Sequence, residues 1–203
     1  MKFIRLVAQS LFAILLLTLI SGCGTTFSQV SVQQSALTGG QVLPHRAVLV
    51  LNEELADYKH KFVAVGGTDV YPIGDALQAY ATNVVSKSFQ QIDIVSSEGK
   101  AASFPSDDLI LIPRAIKSDT TFSVIGFGHT RFYITLVMEW TVKNRSSGNI
   151  VWLKTFTGKA STDAGTFDIL KQRRMLFQKS IDDLSSQTYK AFQEAPELRG
   201  GQP

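Results

Sequence analysis

Arg131-Phe132-Tyr133-Ile134-Thr135-Leu136-Val137-Met138-Glu139-Trp140-Thr141-Val142-Lys143 is the stretch that decides the fold. Phe132, Ile134, Leu136, Met138, Trp140 and Val142 occupy one parity. Arg131, Tyr133, Thr135, Glu139, Thr141 and Lys143 occupy the other, with Val137 as the exception. Successive side chains of an extended chain point to opposite faces, so this alternation predicts a long strand with one buried and one solvated face.

Working outward, Asn144 to Asn149 turns the chain, and Ile150 to Thr157 returns as the hairpin partner. The mixed parity of that second strand predicts a bulge or burial on both sides. Upstream, Leu109-Ile110-Leu111-Ile112 reads as a strand, with Pro113 placing a bulge or an edge near its end and a turn over Lys117 to Thr121. Ala47 to Leu51, Phe62 to Val65 (closed by Gly66-Gly67) and Ile92 to Val95 are further short apolar runs suited to strands, and Ser96 to Asp108 is a polar loop.

Two segments have helical spacing instead. In Gly74 to Gln90, the residues Ile73, Leu77, Tyr80, Ala81, Val84 and Val85 form one apolar stripe, continued by Phe89. In Thr166 to Phe192, the stripe is Leu170, Phe177, Ile181, Leu184, Thr188 and Phe192, with Lys171, Arg174, Lys179, Asp182 and Lys190 outside it. The expectation is an α+β two-layer sandwich: a mainly antiparallel sheet with two amphipathic helices on one face, packed on the even side of strand 131–143. The folded domain spans 44–193, and 194–203 is a polar tail expected to fray.

Composition sets the outer limits. The chain has 203 residues, 44% of them hydrophobic and 18% charged, with a single cysteine. A disordered chain, a collagen-like chain and a disulfide scaffold are excluded. The formal net charge is +3, but Lys2 and Arg5 belong to the amino-terminal segment, and without them it is +1. That balance gives no electrostatic support to a nucleic-acid partner, and none is expected.

The amino terminus has its own layout. Lys2 and Arg5 precede an apolar run from Leu6 to Ile20, and Ile20-Ser21-Gly22-Cys23 follows. A positive flank, an apolar core shorter than the roughly 20 residues of a membrane span, and small residues at the end predict a signal peptide over 1–22. Cys23 has no partner for an internal disulfide. Ile20 to Cys23 resembles the lipobox of bacterial lipoproteins. The resemblance implies cleavage between Gly22 and Cys23, a diacylglyceryl group on the Cys23 thiol and acylation of its amino group. Two or more chains hold a protein stably at a bilayer where one is marginal. The alternative is a structural cysteine behind a transmembrane helix. Gly24, standing where Asp would favour the inner membrane, implies the outer membrane and its periplasmic face, or the plasma membrane in a cell without an outer one.

Gly24 to Leu43 is rich in Gly, Ser, Thr and Gln and carries no charge, so 23–43 is expected to act as a flexible tether carrying the lipidated cysteine. The other reading is an amino-terminal strand using Phe27, Val30 and Val32.

With these elements in place, residues 44–193 resemble the YajG-like family of bacterial lipoproteins. The likeness rests on Ile73-Gly74-Asp75-Ala76-Leu77 leading into a helix, on Leu109 to Ile112, and on the alternating strand with its Asn144 to Asn149 turn. It implies an envelope lipoprotein with an α+β domain and no assigned activity. Thr120 to Thr130 departs from the pattern, being longer and more apolar than a simple turn.

Chemistry-bearing groups do not converge. His45, His60 and His129 lack metal-ligand spacing, and neither a metal nor a cofactor is expected. Ser97-Glu98-Gly99-Lys100 matches S-x-x-K without the S-D-N and K-T-G partners. Asp107-Asp108 and Asp182-Asp183 are adjacent pairs whose side chains point apart. His129 and Arg131 share one side of a strand and could bind an anion.

Phe122-Ser123-Val124-Ile125-Gly126-Phe127-Gly128 stands out as a candidate interaction patch, through Phe122, Val124, Ile125 and Phe127. As a loop it exposes a partner or membrane surface; as a strand it is buried in the sheet, which its length favours. The expectation is a non-enzymatic accessory or assembly factor of an envelope, transport or secretion complex, held to the membrane through Cys23 and acting by protein contact. The alternative is a carrier holding a lipid or glycan between helices and sheet. Self-association through sheet edges stays open.

Overall fold

The computed structural model describes residues 33–64, 67–104, 109–126, 128–165 and 169–199. Gly22, Cys23, Asp107, Asp108 and Phe127 lie outside them. Chain order is β1 (Leu43–Val50), α1 (Glu53–Ala56), β2 (Lys59–Ala64), β3 (Gly67–Pro72), α2 (Gly74–Ser88), β4 (Phe89–Val95), α3 (Glu98–Ala101), β5 (Leu109–Gly126), β6 (His129–Asn144), β7 (Ile150–Gly165) and α4 (Ile169–Glu194). A short 3-10 turn, Pro196–Leu198, follows.

The main sheet has five strands in the order β4-β1-β5-β6-β7, and β2-β3 is a separate antiparallel hairpin. β5, β6 and β7 form the expected antiparallel meander. β1 runs parallel to both β4 and β5, so the sheet is mixed. The cause is connectivity: α2 carries the chain back before β4 begins, and parallel neighbours require such a crossover.

The alternation in 131–143 appears as burial. Phe132, Ile134, Leu136, Met138, Trp140 and Val142 are all buried, while their odd-numbered neighbours are partly exposed or exposed. α2 and α4 cover the even face. Trp140 is at the centre, with the Phe192 ring edge-on at 5.3 Å and Tyr80 at 6.1 Å. Full burial of such a side chain stabilises by roughly 1.5–3 kcal/mol. α4 approaches β7 so closely that a Cβ at Gly158 would meet the Ser180 carbonyl and Leu184. On the opposite face α3 and Phe104 form a smaller cluster with Val48, Val50 and Ile110, against which Val95 and Ile112 pack.

Several boundaries differ from expectation. α2 ends at Ser88, because Phe89 is already extended (φ −117°, ψ 148°) and opens β4, with its ring 5.7 Å from Phe192. The turn expected over Lys117 to Thr121 is instead continuous strand. A register shift between Ala115 and Lys117 absorbs the irregularity, and the β6 partner keeps the backbone paired. β7 extends to Gly165 rather than Thr157. In the tail, Ala195 and Leu198 are buried, so apolar contact holds the chain past Glu194.

Gln33 to Val42, within the segment expected to be a tether, rests on α4. Gln33 N donates to Gln178 Oε1 (2.7 Å), and Gln178 Nε2 donates back to the Gln33 carbonyl (3.0 Å). Ser35 Oγ donates to Asp182 Oδ1 (2.7 Å), Asn83 Nδ2 donates to the Ser35 carbonyl (3.1 Å), and Leu37 packs on the core. This strap descends α4 and turns up into β1.

Candidate interaction surface

The bulge in β5 changes which side chains face the helices. Beyond it Ser118, Thr120, Phe122 and Val124 pair with Leu136, Ile134, Phe132 and Thr130, sharing the even face of β6. Thr120 is still covered: its Oγ1 lies 2.7 Å from Nε2 of His60 on β2. Phe132 beneath Phe122 is capped by Phe62, ring centroids 5.6 Å apart. Past that point the covering layer ends while the hairpin continues. Phe122 is 43% exposed, Val124 74% and Ile125 47%.

Sequence reading offered an exposed loop or a buried strand, and favoured the second. Phe122 to Gly126 is strand, yet Phe122, Val124 and Ile125 are exposed, which corrects the expected burial for these residues. Strand pairing with β6 satisfies the backbone, so extended structure needs no covering helix there.

Arg131 and His129 do not form an open anion site. Arg131 Nε and Nη2 fork onto Asp163 Oδ1 and Oδ2 at 2.6 and 2.9 Å. The hydrogen bonds and charge of Arg131 lower the Asp163 pKa below the ordinary carboxylate value. The other candidates have local structural partners. Ser97 caps α3, accepting from Lys100 N, and Lys100 Nζ donates to Ser96 Oγ at 2.9 Å. Asp182 accepts from Ser35 and Gln178 Nε2, whereas Asp183 Oδ2 accepts from Lys159 N at 2.9 Å. Among the described residues no three His, Cys, Asp or Glu side chains are grouped to hold a metal.

Sequence reading missed Arg173. Its Nη1 donates to Asp69 Oδ2 and to Tyr71 Oη, both at 2.6 Å, and its guanidinium lies 3.8 Å from the Phe62 ring centroid. This fastens the β2-β3 hairpin to α4. The signal was present: Arg173 precedes Phe177 by four and so continues the apolar stripe. Beside it His60 is fully buried against Phe177, and burial pushes its pKa down to about 4, partly offset by Asp119.

The sheet is also open at β7. Over its whole length β7 pairs with β6 alone, and its other edge has no strand partner among the described residues. Ile150 and Leu153 on it are each 57% exposed, and Tyr133 on the uncovered face of β6 is 39% exposed. The space between helices and sheet is filled by Trp140, Phe192, Phe177 and Met138. Two surface troughs, of about 390 and 440 Å³, lie outside that interface, one between the strap and α4 and one where the strap meets Gln193 and Arg199. Among the described residues no helix is long and apolar enough to cross a membrane.

No protein-family model and no curated protein sequence matches the chain. Solved structures do match in shape. A Xanthomonas campestris protein of the DUF330 family superposes with a TM-score of 0.58 at 11% identity, covering 83% of this chain and 94% of that one. A Helicobacter pylori protein described as a neuraminyllactose-binding hemagglutinin homolog gives 0.52 at 8% identity, covering 81% and 93%. A minor lipoprotein from Acinetobacter baumannii gives 0.41 at 16% identity, covering 80% and 100%. At these identities the first two establish a shared α+β fold.

Proposed function

We propose that this chain is a lipid-anchored protein of the bacterial cell envelope, held by acylated Cys23, that works without catalysis by docking a protein partner along β7. The anchor is supported by the lipobox-like Ile20-Ser21-Gly22-Cys23 behind an apolar signal segment. Gly24 in place of Asp favours the outer membrane, facing the periplasm, and the order of elements favours the YajG-like lipoproteins.

One observation carries the protein contact: β7 has no strand partner on its outer edge, where α4 side chains bond only Lys159 N and the Thr157 carbonyl among the described residues, and Ile150 and Leu153 are exposed toward its start. A strand edge without a strand partner is a template for strand addition. Exposed Lys154 and Lys159 place like charge along that edge, which disfavours two copies pairing through it and favours a different, less basic partner. The carrier reading is weaker, since large side chains already occupy the interlayer space.

A photo-reactive residue at Leu153 of the full lipidated chain in its own membranes tests the reading. The expected result is a discrete adduct with one protein that is missing when the same residue replaces Lys179 on the helical face. No adduct at 153, or identical adducts at both sites, would contradict it. A lipid or glycan retained in native mass spectrometry, without an adduct, would favour the carrier.

A further inference from the structure

We infer that the end of the β5-β6 hairpin, through Phe122, Val124 and Ile125, is a second membrane contact that rests on the same bilayer as the lipid on Cys23. The inference depends on the anchor reading above and adds an orientation to it.

The course of the strap supplies the argument. Gly40 lies against Tyr189 and Gln193, Ser35 against Asp182, and Gln33 against Gln178. Followed backwards, the chain therefore climbs α4 toward its first residue, Ile169. At Gln33 it is nine residues, or about 14 Å of helix, from that end. The start of α4 follows Gly165, which pairs with His129, which in turn pairs with Gly126 at the hairpin end. Ten residues separate Gln33 from Cys23, a reach of at most roughly 35 Å. The direction of the strap and that reach put the pole of the hairpin end within range of the lipid.

That pole suits an apolar surface. Phe122, Val124 and Ile125 are 43, 74 and 47% exposed. The nearby Arg131 and Asp163 neutralise each other in a bidentate pair. The opposite pole of the meander is the Asn144 to Asn149 turn, which presents Arg145, Ser146 and Ser147, with Ile150 exposed just beyond it. Apolar side chains at an interface add to the hold of acyl chains in proportion to the area they bury. Because the strap leads toward this pole with the anchor in range of it, lipid is the occupant that the geometry favours over a protein.

The test uses the full chain carrying Val124→Cys, matured, purified and placed in phosphatidylethanolamine–phosphatidylglycerol vesicles containing doxyl-labelled lipid. Acylated Cys23 has no free thiol, so a thiol-reactive bimane should label once per chain. The expected result is a blue-shifted bimane quenched at least about threefold more strongly than one at Ile150→Cys, at the far pole. Adding Ile125→Asp, with circular dichroism unchanged, should reduce that quenching. One label per chain with an unquenched, water-exposed probe at 124 would overturn the membrane contact and leave the anchor standing. Shielding that appears only when another protein is present would overturn it in favour of a protein partner. Two labels per chain would show a free Cys23 and defeat the anchor reading, and this inference with it.

Discussion

Tyr80 makes two polar contacts at the centre of the molecule. It accepts a hydrogen bond from Trp140 Nε1 at 2.9 Å, and its hydroxyl lies 2.6 Å from Thr188 Oγ1. Burial pushes the phenol pKa up, so the hydroxyl stays neutral. Tyr80→Phe keeps the ring but leaves the buried Trp140 N–H without its acceptor. The expected cost is about 2 kcal/mol in urea unfolding; an unchanged midpoint would show that the network contributes nothing. His60 has the opposite sensitivity. Its pKa falls from 6.5 to about 4 on folding, so the unfolded chain binds the extra proton between those values. Stability is therefore full above about pH 6.5 and declines as pH falls toward 4, by up to about 3 kcal/mol from this group. His60→Gln should flatten that part of the urea-midpoint profile. A wild-type profile with no decline there would refute the buried, neutral ring.

At the scale of elements, the strength of a local period set what could be read. Phe132 to Val142 alternate with Val137 as the single exception, so the buried face of β6 followed directly, and the stripes of both helices met it as expected. The direction of β1 could not be read from Ala47 to Leu51, since periodicity within a strand says nothing about its neighbours. The expected turn over Lys117 to Thr121 was a misreading of polar residues that pair with β6 past a bulge. Arg173 was missed because a charge beside an apolar stripe reads as solvent-facing, whereas Asp69, Tyr71 and Phe62 arrive from a distant hairpin to receive it. Its Nη1 donates to two acceptors while the flat guanidinium stacks on a ring, a combination that a compact ammonium cannot reproduce. Arg173→Lys should therefore cost about 2 kcal/mol despite keeping the charge, with faster amide exchange in β2 and β3. Unaltered exchange in that hairpin would mean that Arg173 does not fasten it to α4.

For the molecule as a whole, strap, hairpin end and free edge acquire distinct roles once the lipid is placed. The Gln- and Ser-rich strap reads as a linker by composition, but Gln33 and Ser35 each find a partner on α4 that sequence distance hides. The candidate patch at Phe122, Val124 and Ile125 was legible as apolar; its exposure was not, because that depends on where the covering layer stops. All of these roles require that Cys23 become the first residue and carry acyl chains. Intact-mass analysis of the chain purified from membranes tests that most directly. The account predicts a polypeptide beginning at Cys23, heavier than its sequence by a diacylglyceryl group and an amide-linked acyl chain, and absent from a Cys23→Ser variant. A mature chain with an unmodified cysteine, or one that retains Met1 to Gly22, would contradict it.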